Sequence, residues 1–412
     1  MFNKISIKNV LGINKKIDLD FMASPKQKEK KNSVFEIEPY VNINKVIGII
    51  GPNASGKSSI IDALIELRIF LEQYEIIESL KKSNSEEMKK LLDNYNNETE
   101  GFLPDRNYEK LSEKSEISIE MYIPTGEIPG YYKYSLVYDD KILNETLIYR
   151  KKFKSEKEIL VEDYKTDTKR SDIGYKCNYK DSIIKDYENV DKKLVDKFNE
   201  TLKYYNTFYK YFVGRSFFQT NGDYSWTETI DYVKNNKDVI LKLLKLVDSK
   251  ICDITLSKNN AGGEKLIFHL HNSAKLEWIE LSTGTKNMIN LFVSIMKTIE
   301  NEGIMICDEI ETSLHKELVQ LIINLFLTSN NSSQLIFTTH EPEILDKSGM
   351  RNEQKYFLHY KNGQTEAIKI SDINPRSDYS FSKNYYTDER FMPQPTKEKI
   401  NEFCKLVNGK KE

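Results

Sequence analysis

Cysteine is scarce in this chain, four in 412 residues, and Cys177, Cys252, Cys307 and Cys404 stand far apart with no C-x-x-C pair. A disulfide framework and a cysteine-based zinc site are therefore not expected, and the thiols read as reduced. Histidine is nearly as rare, with five residues. His269 and His271 share one face of a strand-like stretch, KLIFHLH, but no nearby cysteine or acid pair completes a metal site there. No apolar run approaches the length of a membrane-spanning helix, and the N-terminus, MFNKISIKNV, alternates like a strand rather than resembling an export signal. A cytoplasmic chain with no membrane contact is the expectation. An excess of charge is missing too: 61 Lys+Arg against 63 Asp+Glu leave a net charge of −2, so any nucleic-acid surface must be a local patch. Long heptad arrays and repeats of solenoid period are also lacking. What remains is a globular composition, 39% hydrophobic and 11% aromatic, in a chain long enough for two lobes.

Against this background one segment stands out. Residues 51–58 read GPNASGKS and satisfy the phosphate-binding pattern G-x-x-x-x-G-K-[ST]. The segment follows an apolar, strand-like run (Val46 to Ile50) and precedes a helical pattern (Ile60, Ile61, Leu64, Ile65, Leu67). The two glycines let successive N–H groups face one point, and the positive end of the following helix adds to that field. Gly51, Pro52, Asn53, Ala54, Ser55, Gly56, Lys57, Ser58 and Ser59 are therefore the candidate nucleotide-binding residues. Lys57 is expected to reach the β- and γ-phosphates of ATP, and the Ser58 hydroxyl to ligate Mg²⁺.

Much further along, GIMICDEIETSLH runs from an apolar stretch into two acids, as at the C-terminal end of a buried parallel strand. Asp308 is the candidate to hold Mg²⁺ through water, and Glu309 to orient and polarise the attacking water. The wide spacing between the two motifs implies an insertion: residues 1–68 and 264–412 form the core lobe, interrupted by 69–263.

Between the motifs lies ELSTGTKNMINLFVSIMKTIE. Ser282 and Thr283 suit a helix cap, Gly284 lets a phosphate approach the backbone, and Met288, Leu291, Phe292, Ile295 and Met296 form an apolar stripe. Leu281, Ser282, Gly284 and Lys286 resemble the signature motif of ABC-type ATPases. Thr312, Ser313, Leu314 and His315 resemble the D-loop of that family, and QLIFTTHEPEIL resembles its strand ending in a switch histidine, His340. The resemblance implies an α/β P-loop NTPase fold of the ABC-ATPase type, with a flanking antiparallel sheet and a mainly helical insert. It also implies that His340 contacts the γ-phosphate on its own P-loop while Ser282 and Gly284 contact ATP held by another subunit. The expected assembly is then a head-to-tail homodimer, or a higher homo-oligomer, closed by ATP and Mg²⁺, with Glu309, His340 and Lys57 as catalytic residues.

Residues 2–21 alternate as two strands, and alternation returns at 117–123, 132–138 and 142–147. This resembles the antiparallel sheet that flanks the phosphate loop in SMC, Rad50 and RecF relatives. Residues 163–180 read as a polar loop. Residues 182–212 are a lysine- and tyrosine-rich helical stretch suited to a lid, a DNA-contacting arm or a partner dock, although composition bias explains it as well. Gln219 is the candidate Q-loop glutamine. In the tail, Arg376, Asp378, Lys383, Tyr385, Arg390, Phe391 and Pro393 resemble the end of a prokaryotic ATPase group that includes RloA-type and PARIS defence ATPases. That likeness implies a sensor or switch subunit of an anti-phage defence system acting through a separate effector protein, nuclease or toxin-like. The alternative is a RecF- or SMC-like ATPase that binds DNA in repair or maintenance.

Overall fold

Val46–Ile50 (β6) carries no polar side chain, and all five residues are buried. A strand apolar on both faces belongs in the middle of a parallel sheet that is covered on both sides. The computed structural model describes residues 1–24, 31–82, 103–125, 128–140, 142–155, 158–165, 226–247, 250–258, 263–312, 314–361, 363–373, 381–385 and 397–408. It places β6 at the centre of a five-stranded sheet. The order is β14 (Ile304–Cys307), β15 (Gln334–Thr339), β6, β16 (Lys355–Lys361) and β17 (Gln364–Lys369). The first four strands run parallel, and β17 returns antiparallel to β16. Cys307 aligns with Phe337, and Phe337 with Gly48, so the chain leaves β14, β15 and β6 along one edge. That edge carries the site.

Each face of this sheet packs against different elements. On one, Ile47, Ile49, Ile304, Ile306 and Ile336 join Ile60, Ile61, Ala63, Leu64 and Leu67 of helix α1 (Lys57–Lys82). On the other, Val46, Ile50, Met305, Leu335 and Phe337 meet α5 (Lys316–Thr328) and α6 (Pro342–Lys347) through Val319, Ile323, Phe326, Ile344 and Leu345. Single-residue alternation along each buried strand sorts its side chains between the two layers.

The α1 layer continues into a six-stranded antiparallel sheet. Its order is β10 (Glu158–Lys165), β9 (Ile142–Arg150), β8 (Gly130–Tyr138), β7 (Ser115–Ile123), β1 (Phe2–Lys8) and β2 (Ile17–Asp20). Tyr132, Tyr134, Leu136 and Tyr138 of β8 all point inward, the period-two pattern of a sheet with one covered face. Ile5 pairs with Ile119, so β7 hydrogen-bonds directly to the first strand of the chain, with β8, β9 and β10 following beyond it. The loop expected from residue 163 is corrected here: Asp163, Tyr164 and Lys165 pair with Thr146, Glu145 and Asn144, and a ladder partner outweighs polar composition at a sheet margin. Strands β3 (Met22–Ala23), β4 (Val34–Glu38) and β5 (Val41–Asn44) make a small separate sheet.

A third hydrophobic cluster is built from α2 (Trp226–Asn235), α3 (Lys237–Val247), β11 (Ile251–Lys258), β12 (Glu264–Leu270), β13 (Lys275–Glu277) and α4 (Thr283–Glu300). Ile240, Leu244, Phe268, Ile289 and Val293 are among its members. The tail carries α7 (Ile370–Ile373), α8 (Phe381–Tyr385) and α9 (Lys397–Asn408). Asp346 on α6 caps α8 by accepting from the N–H groups of Phe381 and Ser382. Ser313, Gln219, the stretch 182–212 and Arg376, Asp378, Arg390, Phe391 and Pro393 lie outside the described residues. The fold is an α/β P-loop NTPase with a flanking antiparallel sheet, the class implied by the motifs.

Candidate functional site

The loop after β6 curls because two of its residues adopt left-handed backbone: Ala54 at φ +60° and Gly56 at φ +94°. Gly51 has no room for a side chain, since a Cβ there would lie 2.2 Å from the Leu358 carbonyl oxygen and 2.6 Å from Ser55 Oγ. Lys57 opens α1 and folds back over the loop, donating to the carbonyl oxygens of Gly51 and Pro52 at 2.9 Å each. Burial lowers its pKa from the ordinary lysine range, and the charges of Asp308, Glu309 and Glu311 oppose that shift. Asn53, Ala54 and Ser58 are exposed, Pro52 is half-buried, and the buried Ser55 hydroxyl has no hydrogen-bond partner among the described residues. An unpaired buried hydroxyl, a converging backbone and a helix start fit a phosphate chain. Ser59 is engaged otherwise, accepting from the Gly12 N–H at 3.2 Å.

The acidic turn follows β14. Thr338, buried near the end of the neighbouring β15, donates its hydroxyl to Asp308 Oδ1 and accepts the Glu309 N–H at 2.7 Å. The Ile310 N–H reaches the Thr338 carbonyl oxygen at 3.1 Å. These ties hold Glu309 at φ +46°, left-handed backbone that a non-glycine residue adopts only when its surroundings impose it. Glu309 Oε1 then meets His340 Nε2 at 3.0 Å, and Thr312 Oγ1 donates to Glu309 Oε2 at 3.4 Å. Glu311 turns the other way and accepts the His340 backbone N–H at 2.6 Å. Cys307, just before the acids, is no nucleophile: burial, and then the charge of Asp308, push its thiol up to about 12. One sheet edge thus brings together Lys57, Ser58, Asp308, Glu309 and His340, a set able to hold phosphates, ligate a divalent cation and orient water.

A family model described as "AAA domain, putative AbiEii toxin, Type IV TA system" matches residues 46–346, a span that takes in the phosphate loop, the acidic turn and His340. The chain belongs to this AAA domain family. Among curated proteins, an uncharacterized protein of Dictyostelium discoideum is 24% identical over 183 residues, which is 43% of this chain and 22% of that protein. The chain therefore spans about a fifth of that relative's length. Among solved structures, the SMC head domain from Thermotoga maritima is 12% identical with a TM-score of 0.38, covering 89% of this chain and 98% of that one. An SmcHead bound to the C-winged helix domain of ScpA is 13% identical with a TM-score of 0.43, covering 89% and 96%. An Smc head domain bound to the C-terminal domain of ScpA, from Pyrococcus furiosus, is 11% identical with a TM-score of 0.40, covering 89% and 95%.

Within the AAA domain, Ser282 and Gly284 lie at the start of α4, the helix whose Met288, Ile289, Phe292 and Val293 join the third hydrophobic cluster. Ser282 is the N-cap. Its hydroxyl accepts the Thr285 N–H at 3.1 Å and shares a 2.8 Å hydrogen bond with Thr285 Oγ1. Both residues are exposed, and a Cβ on Gly284 would meet nothing nearer than Ser282 Oγ at 3.9 Å. An 18-residue helix thus offers an open N-terminus. Sequence reasoning missed Thr338 and Glu311, which tie the acidic turn to the His340 strand. It also missed the loop behind the phosphate site, where Thr365 donates to the Gly12 carbonyl oxygen at 3.3 Å and sits 3.2 Å from where a Cβ on Gly56 would be.

Proposed function

We propose that this AAA domain binds and hydrolyses ATP with Mg²⁺, closes on ATP as a head-to-tail homodimer, and thereby switches a separate nuclease- or toxin-like effector in anti-phage defence. The observation that carries the chemistry is the convergence of Lys57, Asp308, Glu309 and His340 on one sheet edge. Lys57 exchanges the Gly51 and Pro52 carbonyl oxygens for phosphate oxygens. Ser58 and, through water, Asp308 would hold Mg²⁺, which when bound offsets the charge of the β- and γ-phosphates. Glu309 accepts a proton from the attacking water as its oxygen adds to the γ-phosphorus and the bond to the β-phosphate oxygen breaks. His340 keeps that carboxylate in place through Nε2. Ser282 and Gly284 offer an exposed helix start that suits the phosphates of ATP on a second subunit. The family's description, naming a toxin of a toxin–antitoxin system, supports a defence setting and a separate partner.

Among the described residues no helix is long and apolar enough to cross a membrane, and no membrane step is invoked. The test compares wild type with two variants. Lys57→Ala should lose ATP binding or turnover. Glu309→Gln should keep binding, lose at least ~10²-fold in hydrolysis, and accumulate as a dimer on size exclusion with ATP and Mg²⁺. An unchanged rate in Lys57→Ala removes the nucleotide site, and normal hydrolysis in Glu309→Gln removes the base. Equal phage plating on cells carrying wild type or Lys57→Ala with the neighbouring genes refutes the defence role. Steeply salt-dependent duplex binding would then favour DNA maintenance.

A further inference from the structure

Glu311 takes no part in the proposed chemistry, yet it is built into its geometry. Its Oε1 accepts the His340 N–H at 2.6 Å across 29 residues of sequence. Its Oε2 is buried and without a hydrogen-bond partner among the described residues. The other ties between the acidic turn and β15 end on Thr338: its hydroxyl joins Asp308 Oδ1 to the Glu309 N–H, and its carbonyl oxygen accepts from Ile310. Past Thr339 the chain leaves the strand and turns toward α6, with the Glu341 N–H on Thr339 Oγ1 at 3.0 Å. The bond from Glu311 is what ties the acidic turn to the His340 backbone itself. It is also charge-assisted, the stronger and shorter class of hydrogen bond.

We infer that Glu311 is a positioning residue: by fixing the His340 backbone it keeps the imidazole Nε2–H on the Glu309 carboxylate. This rests on the reading of Glu309 and His340 as turnover residues. The imidazole hangs from its α-carbon by two rotatable bonds, so a backbone shift of about 1 Å carries a 3.0 Å contact out of hydrogen-bond range. An ionised Glu309 can only accept, so the contact selects the tautomer protonated on Nε2. Glutamine at 311 keeps an acceptor oxygen at the same reach, aspartate is one methylene too short, and alanine has no acceptor. Were Glu311 acting instead through its charge on Lys57, glutamine would fail as badly as alanine.

The experiment uses the full chain labelled with ¹⁵N-histidine, without nucleotide, at pH 8. The His340 ring signal is the one lost in His340→Ala. Long-range ¹H–¹⁵N spectra should show a fixed Nε2–H tautomer in wild type and Glu311→Gln, and averaged tautomers in Glu311→Ala and Glu311→Asp. In ATP turnover, Ala and Asp should lower kcat by ~10- to 100-fold, the scale of an ångström-sized misplacement, with KM for ATP little changed. Gln should restore most of it, and Glu311→Ala should cost nothing further in a His340→Ala background. An unaltered tautomer in Glu311→Ala, a Gln variant as impaired as Ala, or fully additive losses in the double variant would each overturn the inference. Normal turnover in His340→Ala would instead sink the reading of His340, while the spectra still judge the tie from Glu311.

Discussion

Replacing Thr338 with valine deletes one hydroxyl and almost nothing of its shape, which makes it a clean probe of the acidic turn. The hydroxyl serves two groups at once, donating to Asp308 Oδ1 and accepting from the Glu309 N–H. A bond to a charged group contributes about 1.5–3 kcal/mol, and an unpaired buried donor costs about 1–3 kcal/mol. Asp308 is only half-buried, so water recovers part of this, and a net loss of roughly 2–4 kcal/mol is expected. The larger effect should be on geometry. Left-handed backbone at a non-glycine residue costs about 1–2 kcal/mol, and Thr338 supplies much of what holds Glu309 at φ +46°. Without it the turn can relax to negative φ and swing the carboxylate away from His340 Nε2. Phosphate release at saturating ATP should therefore fall ~10²-fold, with ATP binding largely kept and the melting temperature lower by a few degrees. Thr338→Ser, which keeps the hydroxyl, should stay near wild type. A valine variant that binds ATP and hydrolyses it within ~3-fold of wild type would refute this account of the turn.

Two further outcomes follow from residues far from that turn. Ser282→Arg should leave ATP binding intact but block dimer closure and turnover; mixed with Lys57→Ala it should regain some hydrolysis, because one interface of a mixed dimer pairs an intact phosphate loop with an intact α4 start. Full activity in Ser282→Arg alone would remove the trans assignment. Glu145 on β9 is buried beside Tyr134, whose hydroxyl donates to it at 2.7 Å, and burial outweighs that bond to push its carboxyl up to about 7 from 4.5. A raised carboxyl pKa favours the protonated form in the fold, so its stabilisation is present below about 4.5 and lost as pH rises through 7. Glu145→Gln should therefore melt above wild type at pH 8, by up to about 3 kcal/mol, and converge on it toward pH 5; a glutamine variant no more stable at pH 8 contradicts the shift.

The phosphate loop was legible because its chemistry is local. Strand, loop and helix are consecutive, and the glycines, Lys57 and Ser58 sit within eight residues. Strands β14 and β15 were legible because a short apolar run ending in acids or a histidine has few other readings in a parallel sheet. Thr338 and Glu311 were not legible. A threonine at a strand end and a glutamate in a turn are ordinary in composition, and their roles arise only when β14 and β15 pair in the register Cys307 to Phe337. The pairing of β1 with β7 was hidden for the same reason: alternation marks a strand but not its neighbour, and over a hundred residues separate Ile5 from Ile119. The Ser282 cap was readable, since a serine three residues before a bonded N–H is a local signal. In the proposed function, where that helix start meets a nucleotide is a property of an assembly rather than of one chain.

Charge around the phosphate loop bears on which form of nucleotide the proposed chemistry takes. Asp308, Glu309 and Glu311 all act on Lys57, so three carboxylates stand against one ammonium. The N-terminus of α1 adds only about half a positive charge, and the cluster stays net negative. A bare triphosphate brings more charge of the same sign and meets repulsion from Asp308 and Glu309 that Lys57 alone does not offset. A divalent cation held by Ser58 and, through water, by Asp308 would reverse this, offsetting the Asp308 charge and leaving Glu309 to work on water. The acids are thus not incidental neighbours of the lysine. In the proposed chemistry they would make metal-loaded nucleotide the favoured occupant.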